Sequence, residues 1–409
     1  MKTEEAPDRV GPPPEVEVAA GTTREDIRRG LRHVLAVFLT VRVGLFILAL
    51  VGVALIPALR PQPHPPGWPL PGEPDVLGWQ NVFTAWERFD ALWFLRIASS
   101  GYVNGDGSAA FFPLYPLLTR WLAVVLGGHP FAAALVVSNA SFFGALLVLY
   151  FLTRTELSEQ AARRAVVYAA VFPTAFFFLA PYSESLFFLL AVTSIWAARR
   201  GRWTIAAVAG ALAALTRNVG LLLAIPLAVE GYHQWRERRT SLLAPAFASA
   251  TTAAGILPYL GFWRHVSGDW LAPLHQQVQW QRTGTFPTTS ILKGTKEGVR
   301  WIGIYPGGYH QLDWLIVAPV LLIAVYAAIR FRPVYGAYVW SALLAPLSYI
   351  FVPRPFMSLP RFVLPLFPVY WVLARWSERR PGLHTGIVAC SAALLGVMTL
   401  LFVTWYYVF

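Results

Sequence analysis

Long apolar runs that recur along almost the whole chain, separated by short basic turns, limit what this sequence can fold into. The runs fall at about 33–57, 131–152, 165–181, 184–198, 203–216, 218–232, 243–263, 313–330, 334–352, 361–376 and 384–408. Several of them approach the ~20 residues that a helix needs to cross the hydrocarbon core of a bilayer. Only 13% of the residues are charged, about half the fraction in a soluble domain. The sequence therefore predicts an all-α polytopic membrane protein with about 11 transmembrane helices.

The basic turns between the runs indicate how the predicted helices are oriented. If the N-terminus is cytoplasmic, all of these turns fall on the cytoplasmic side, as the positive-inside rule requires. They contain Arg154, Arg163, Arg164, Arg199, Arg200, Arg202, Arg236, Arg238, Arg239, Arg330, Arg332, Arg375, Arg379 and Arg380. This orientation, expected for a multi-pass protein of the cell membrane, leaves two large outward loops at 58–130 and 264–312. Because the net charge of +12 is dispersed over many turns, no nucleic-acid partner is predicted.

The chain divides into a short tail and one membrane domain. Residues 1–32 are acidic and proline-rich and lack the basic-then-apolar order of a signal peptide, so we expect a disordered cytoplasmic tail. Residues 33–409 form a single transmembrane domain. Within the first outward loop, the segment 112–127 is apolar but broken by Pro113 and Pro116, which predicts a helix lying at the membrane interface.

One outward stretch, WERFDALWFLRIASSGY at 86–102, surrounds a carboxylate with aromatic residues. On a helix from 86 to about 98, Glu87 would share a face with Asp90. A neighbouring like charge and loss of water both raise the pKa of a carboxyl toward the range of a general base. Asp90 is therefore a candidate base. The alternative is that Asp90 caps the helix or pairs with Arg88 or another arginine at the membrane surface.

Three further ionisable residues stand where topology does not require them. Glu184, in PYSES, suits either a site or a cap at a helix start, where carboxylates are favoured. Arg217 lies where the stretch 203–232 must break into two short helices to keep the basic turns on one side. That position favours a buried anion-binding arginine over one reaching the membrane surface. Arg361 begins an outward helix, and a guanidinium matches the geometry of a lipid phosphate.

Metal and redox chemistry have little support in the residue pattern. The outward residues His265, His275 and His310 form no HxxxH or HxxE pattern. The only cysteine, Cys390, lies in an apolar run, so an intrachain disulfide is impossible. We therefore expect no cofactor; a divalent cation is compatible with the sequence but is not indicated by it.

The stretch WERFDALWFLRIASSGY…AFFPLYPLL resembles the first lumenal loop of the GPI mannosyltransferase 2 (PIG-V) family. That family has a pattern close to R-W/F-D-A-x-x-F/Y-L-x-I-A-x-x-G-Y, followed by F-F-P-x-x-P. Further similar segments follow in order at FPTAFFFLAPYSESLFFLL (172–190), LTRNVGLLL (215–223) and LPRFVLPLFPVYW (359–371). The resemblance implies a GT-C membrane glycosyltransferase that uses a polyprenyl-phosphate sugar. The bias for arginine over lysine and the short loops favour a bacterial member.

The resemblance also implies roles for particular residues. Asp90 occupies the position of the catalytic carboxylate. The family's YSE motif falls on Tyr182, Ser183 and Glu184, and its R-N-G element falls on Arg217, Asn218 and Gly220. The expected substrate-binding residues are Glu87, Tyr102, Tyr182, Glu184, Arg217, Asn218 and Arg361.

The predicted activity is transfer of mannose, with inversion, from a polyprenyl-phosphate donor to a glycolipid, glycan or protein acceptor at the outer face of the membrane. One alternative is a GT-C enzyme that moves another polyprenyl-linked sugar, because the mannose assignment comes from the resemblance alone. A second alternative is a transporter of lipid-linked sugars. A transporter would be expected to have internal repeats and charges within its spans, and Arg42 is the only clear charge of that kind.

Overall fold

Helices account for nearly all regular structure in this computed structural model, which describes residues 24–57 and 81–406. The helices are α1 (Arg24–Leu55), α2 (Asn81–Thr84), α3 (Asp90–Ser100), α4 (Leu114–Val125), α5 (Pro130–Glu156), α6 (Glu159–Val171), α7 (Glu184–Arg199), α8 (Trp203–Ala214), α9 (Ala224–Arg236), α10 (Leu243–Ala254), α11 (Leu257–Ser267), α12 (Ala272–His275), α13 (Pro287–Arg300), α14 (Gly308–Arg330), α15 (Pro333–Leu347), α16 (Leu359–Phe362), α17 (Phe367–Ser377) and α18 (Pro381–Val403). Short 3₁₀ turns lie at Ser108–Ala110, Ala175–Phe178, Asn218–Leu223 and Gln276–Trp280.

The prediction of an all-α polytopic membrane protein is confirmed. Within the described ranges, five helices are long and apolar enough to cross a membrane: α1, α5, α10 together with α11, α14 and α18. Each of the other predicted apolar runs contains shorter helices. The number of 11 crossings, by contrast, stays a prediction.

The first helix begins earlier than the sequence predicts. α1 starts at Arg24, inside the stretch 1–32 that was expected to be a disordered tail. Two ion pairs support this early start: Arg29 Nη2 lies 2.9 Å from Glu25 Oε1, and Arg154 Nη2 lies 3.0 Å from Asp26 Oδ2. Residues 1–23 of the predicted tail, and 58–80 of the first predicted outward loop, lie outside the described residues.

Several apolar runs are interrupted where the backbone turns. α6 ends at Val171, shortly before Pro173, and a 3₁₀ turn precedes the start of α7 at Glu184. α8 ends at Ala214, and the backbone is extended at Arg217 before the next 3₁₀ turn, so the predicted break there is confirmed. Non-helical backbone within a membrane protein is tolerated where protein or a cavity surrounds it. These interruptions are therefore positions at which a site can form.

Helix α7 connects two polar regions of different character. At its C-terminal end Arg199 binds Glu156 and Glu230, each at 2.8 Å, and Arg332 Nε lies 2.9 Å from Glu230 Oε2. This arginine cluster joins turns that were predicted to lie together on the cytoplasmic side. The helix has 16 residues, so its N-terminal Glu184 lies about 22 Å from Arg199 at 1.5 Å per residue.

The stretch before α3 is held by packing against α18 and the residues that follow it. Arg88 Nε donates to Val403 O at 2.9 Å, and its guanidinium lies 4.7 Å from the centre of the Trp405 ring. The ring of Phe89 lies 5.7 Å from that of Phe402 and 5.3 Å from that of Trp405. The C-terminal end of α18 therefore fixes the N-terminal end of α3.

A small two-stranded sheet ties the second predicted outward loop to a later segment. Strand β1 (Thr283–Gly284) pairs antiparallel with β2 (Tyr349–Ile350). Thr285 N also donates to Ser348 O at 2.8 Å. The residues just before β1 are thereby held near the segment that leads to α16.

Candidate active site

Four side chains predicted from separate motifs meet at one place. Arg361 Nη1 donates to Asp90 Oδ2 at 2.5 Å, and Arg361 Nε lies 2.5 Å from Glu184 Oε1. Arg217 Nη1 donates to the same Glu184 oxygen. We call this arrangement of Asp90, Arg361, Glu184 and Arg217 the ion-pair chain. Its two positive and two negative charges alternate, which allows ionised groups to remain away from bulk water.

Local structure explains how each member reaches this position. Asp90 is the first residue of α3 and Glu184 the first of α7, where the helix dipole favours a negative charge. Arg361 lies in the short helix α16, and Arg217 lies in the break after α8. The predicted alternative of an arginine partner for Asp90 is thus realised, but the partner is Arg361. Arg88 instead donates to backbone carbonyls.

The ion-pair chain is buried to different depths along its length. The side chain of Glu184 is fully buried and that of Arg217 is 7% exposed, whereas Asp90 retains 19% exposure. Phe362 lies under the Arg217 guanidinium, 4.8 Å from its central carbon to the ring centre. The Tyr182 ring lies 5.3 Å from the Arg361 guanidinium. Asp90 is therefore the more accessible of the two carboxylates.

Two non-glycine residues with left-handed backbone precede the site helices. Phe89, immediately before Asp90, has a φ of 53°, and Ser358, at the start of α16, has a φ of 68°. Such conformations are unfavourable for residues with a Cβ and persist where surrounding contacts enforce them. For Phe89, the contacts are the rings of Phe402 and Trp405. Both the carboxylate and the arginine that binds it follow a strained residue.

The R-N-G element has a steric explanation. Gly220 lies so close to α8 that a Cβ built on it would be 2.1 Å from Ala213 O. Asn218 Oδ1 accepts from Val219 N at 2.9 Å, which supports the turn. The element thus folds the backbone closely around Arg217 and directs it toward Glu184.

A cavity of about 460 Å³ adjoins the ion-pair chain. Among the described residues its charged lining consists of Asp90, Arg217, Arg282 and Arg361, and much of the remaining wall is apolar. The exposed side chain of Asn218 also lines it. Its volume falls within the range of about 300–1,000 Å³ usual for small-molecule sites. The cavity can therefore accommodate a polar headgroup beside the Asp90 carboxylate.

Glu87 does not line this cavity, and the predicted face shared by Glu87 and Asp90 is wrong. α3 begins at Asp90 instead of residue 86, because the left-handed backbone of Phe89 interrupts the helix. Burial raises the pKa of the Glu87 carboxyl. Its location before the helix separates it from the cavity wall.

The two predicted tyrosines also lie outside the cavity lining. Tyr102 OH donates to Phe111 O at 2.7 Å, and Tyr102 lines a second, largely apolar cavity. Tyr182 OH donates to Arg88 O at 3.1 Å, so it supports the residues before α3 from behind Arg361. Contact between these tyrosines and a substrate stays a prediction.

Arg282 is a cavity residue that the sequence analysis missed. Its Nη2 donates to Ser358 Oγ at 2.7 Å, and it lines the same cavity as Asp90. An arginine in the outward loop 264–312 has no use as a topology signal. Like Arg361, Arg282 could therefore have been recognised from its position in the sequence.

Metal ligation is not evident in the described part of the chain. There, no group of three or more His, Cys, Asp or Glu side chains is arranged to hold a metal ion. His275 instead contacts Asp269, with 2.7 Å between Nδ1 and Oδ2, in an exposed pair. The independence of the reaction from cations stays a prediction.

Comparison with solved structures yields distant similarities. ArnT from Cupriavidus metallidurans bound to undecaprenyl phosphate is 14% identical, with a TM-score of 0.48; the match covers 91% of this chain and 76% of ArnT. The same protein in the apo state gives 15% identity and a TM-score of 0.48. The Archaeoglobus fulgidus oligosaccharyltransferase, in complex with Zn and sulfate, is 14% identical with a TM-score of 0.39. That match covers 89% of this chain and 53% of the oligosaccharyltransferase.

Comparison of sequences identifies the family. No curated protein matches the chain. The family model described as mannosyltransferase (PIG-V) matches residues 35–239, which is half of the chain and includes Asp90, Glu184 and Arg217. The resemblance seen in the sequence motifs is thereby confirmed: the chain belongs to the mannosyltransferase (PIG-V) family of membrane glycosyltransferases.

Proposed function

We propose that this protein is an inverting glycosyltransferase that moves mannose from a polyprenyl-phosphate donor to an acceptor at the outer face of the membrane. The observation that carries the proposal is the partly exposed Asp90 carboxylate, bound by Arg361 at the wall of a cavity. Membership of the mannosyltransferase (PIG-V) family supports the transferase activity and the choice of mannose as the sugar. The separation of this cavity from the arginine cluster along α7 supports the outward orientation.

Asp90 acts as the general base in this mechanism. An acceptor hydroxyl bound in the cavity gives its proton to an Asp90 carboxylate oxygen as the hydroxyl oxygen bonds to the anomeric carbon of the sugar. The bond from that carbon to the phosphate oxygen breaks, and its electron pair leaves with the polyprenyl phosphate. Attack from the face opposite the phosphate converts a β-linked donor into an α-linked product. Arg361 contributes by holding the carboxylate in one orientation.

One catalytic carboxylate is sufficient for this reaction. A phosphate leaves without prior protonation, whereas a glycosidase requires an acid and a second base or nucleophile. Glu184 is not needed as a second catalytic group. Its fully buried side chain instead serves as a counter-ion for Arg217 and Arg361. Positive charge from these two arginines near the cavity stabilises the negative charge that develops on the leaving phosphate.

We also propose that the reaction does not require a divalent cation. Each carboxylate of the ion-pair chain already contacts arginine through one oxygen, and in the described part of the chain no group of three or more His, Cys, Asp or Glu side chains is arranged to hold a metal ion. Turnover in the presence of a chelator should therefore equal turnover without it. A loss of activity that added magnesium or manganese restores would contradict this part of the proposal.

The base is tested with purified protein in lipid vesicles, labelled polyprenyl-phosphate mannose and an acceptor lipid extract. Asp90→Asn should lower kcat by about 10²–10⁴, the usual contribution of a general base. Asp269→Asn is the matched control, because Asp269 is an exposed carboxylate in the second predicted outward loop. Normal turnover by Asp90→Asn would overturn the assignment. Parallel assays with donors that carry glucose or arabinofuranose test whether mannose is the sugar transferred.

A further inference from the structure

We propose that Asp313 and Arg354 form a buried pair that positions Arg361 for the transfer reaction, a role that rests on the function proposed above. Both residues lie outside residues 35–239, so the family match does not assign them. Neither of them lines the cavity beside Asp90. They are therefore positioning residues, which act on the reaction through the place that Arg361 occupies.

Two parallel hydrogen bonds join the pair. Arg354 Nε donates to Asp313 Oδ2 at 2.7 Å, and Arg354 Nη2 donates to Asp313 Oδ1 at 2.8 Å. The side chain of Asp313 is only 1% exposed, and the ring of Tyr309 lies 5.1 Å from the central carbon of the guanidinium. A contact of this forked kind fixes the orientation of the two groups as well as their distance. Because α14 packs against α13, α15 and α17, Asp313 is a fixed point from which Arg354 is held.

The segment that contains Arg354 needs such support because it has no regular secondary structure. Residues 351–358, between β2 and α16, form a succession of turns and a bend. Within it, Arg354 N donates to Phe351 O at 3.0 Å, and Met357 N donates to Arg354 O at 2.9 Å. Met357 lines the cavity beside Asp90. The position of Arg354 is thereby passed through one turn to the cavity wall.

Neighbouring helices hold the same segment at further points. Phe356 is 2% exposed and packs closely on α13, where a Cβ built on Gly294 would lie 2.4 Å from its ring. α16 itself packs against α14, the helix that carries Asp313. Thr174 Oγ1 donates to Pro360 O at 2.9 Å. The residues that lead into Arg361 are therefore held from α13, from α14 and from the break that follows α6.

This support matters because Arg361 makes two contacts that require precise placement. Its Nη1 donates to Asp90, and its Nε lies 2.5 Å from Glu184 Oε1. Ser358, three residues before it, has a left-handed backbone, a conformation that persists only where the surroundings enforce it. A displacement of about 1 Å at a catalytic site can lower the rate about 10²-fold. Loosening the pair should therefore misplace Arg361 and lower kcat.

The alternative is that the pair only stabilises the fold. Removing one partner of a buried ion pair destabilises a protein wherever the pair lies, because an unpaired charge remains. A lower melting temperature therefore does not distinguish the two roles. Non-additivity does: an effect that acts through Arg361 should shrink once Arg361 has already lost its contacts, whereas a general effect should be unchanged.

The kinetic test compares Asp313→Asn and Arg354→Lys in the wild-type and Arg361→Lys backgrounds, with turnover expressed per folded molecule. Each variant should lower kcat about tenfold or more in the wild-type background and by much less in Arg361→Lys. Asp313→Glu, which keeps the charge and both oxygens, should recover part of the loss. Arg354→Lys leaves a positive charge beside Asp313, so it keeps the test decisive if Asp313→Asn does not fold.

Glu230→Gln is the matched control. Glu230 is also fully buried and contacts two arginines, Arg199 and Arg332, but it lies at the opposite end of α7 from the site. It should lower the melting temperature, and whatever factor it imposes on kcat should be the same in the wild-type and Arg361→Lys backgrounds.

A second measurement reports the position of the segment without any turnover. A spin label attached at Met357→Cys in a Cys390→Ser background monitors the segment next to the cavity, since the chain has a single cysteine. Its electron paramagnetic resonance spectrum should show greater mobility when Asp313→Asn or Arg354→Lys is added. Glu230→Gln should leave the spectrum unchanged.

The outcomes separate the positioning role from the proposed function. If both variants lower kcat by the same factor in both backgrounds, or leave kcat at the wild-type value, the positioning role is wrong and the proposed transferase is unaffected. If the wild-type protein transfers no mannose, the proposed function is wrong. In that case the spin label still decides: a spectrum that does not change in the variants overturns the structural role of the pair, and a more mobile one supports it.

Discussion

Arg361 and Asp90 are separated by 271 positions in the chain, yet Arg361 Nη1 lies 2.5 Å from Asp90 Oδ2. The contact joins the first predicted outward loop to the last third of the chain. Through Nε the same guanidinium reaches Glu184, so a single side chain orients the candidate base and contacts the buried counter-ion. The geometry of the site therefore depends on Arg361 more than on any local feature of the WERFD stretch.

Glu184→Gln should reduce both stability and turnover. The fully buried Glu184 contacts two arginines, and removal of one partner from a buried ion pair costs about 3–5 kcal/mol. We expect a lower melting temperature in detergent and a lower kcat per folded molecule.

Glu230→Gln is a matched control for that experiment. Glu230 is also fully buried between two arginines, Arg199 and Arg332, but it lies at the opposite end of α7. It should lower the melting temperature while leaving the KM for the donor unchanged. Equal effects of the two variants on KM and kcat would indicate that Glu184 has no special relation to the site.

Arg361→Lys should lower kcat by about ten- to a hundredfold. Lysine keeps the charge, but its single nitrogen cannot reproduce contacts that Arg361 makes through Nη1 to Asp90 and through Nε to Glu184. The range corresponds to loss of one charged hydrogen bond. Steady-state kinetics would check this decrease in kcat, with Arg300→Lys as the control because Arg300 is an exposed arginine. A wild-type kcat in Arg361→Lys would refute the two-contact role.

Gly220→Ala should displace Arg217 and reduce activity. The added Cβ would meet the backbone of α8 at 2.1 Å, so the turn must move, at a cost of roughly 1–3 kcal/mol. Gly386→Ala, in an exposed position of α18 with open space around it, should be neutral or slightly stabilising. Thermal unfolding and turnover measured together distinguish the two. If Gly220→Ala behaves like Gly386→Ala, close packing at the break is not needed.

The proposed orientation can be tested by cysteine labelling, because the chain has a single cysteine, Cys390. In a Cys390→Ser background, His275→Cys should react with a membrane-impermeant maleimide added to intact cells. Arg239→Cys should react only after permeabilisation. Both positions have well-exposed side chains, 63% and 53%, so accessibility within the protein is matched. The reverse labelling pattern would place the cavity on the cytoplasmic side.

Much of the site could be predicted from sequence because its members stand out locally. Asp90, Glu184, Arg217 and Arg361 are ionisable residues in apolar surroundings, and each lies in a motif of the family. Their mutual contacts could not be predicted, because no local pattern records which carboxylate meets which arginine. The break at Arg217 followed from the charge distribution alone.

The errors in prediction have long-range causes. The start of α3 was misplaced because the backbone of Phe89 is set by Phe402 and Trp405, more than 300 positions later in the chain. Only a helix that began at residue 86 would place Glu87 on the same face as Asp90. The contact of Arg282 with Ser358 could not be predicted, because the two-stranded sheet beside it pairs segments that are far apart in the chain.

The packing of α18 against the stretch before α3 has a consequence for biosynthesis. Val403 accepts from Arg88, and Phe402 supports Phe89, so the residues before the candidate base acquire their support from residues that are translated more than 300 positions later. A message with a premature stop codon in α18 would still encode every motif of the family. The truncated product would lack the contacts that support the residues before Asp90. The presence of all the motifs would then not show that the enzyme is active.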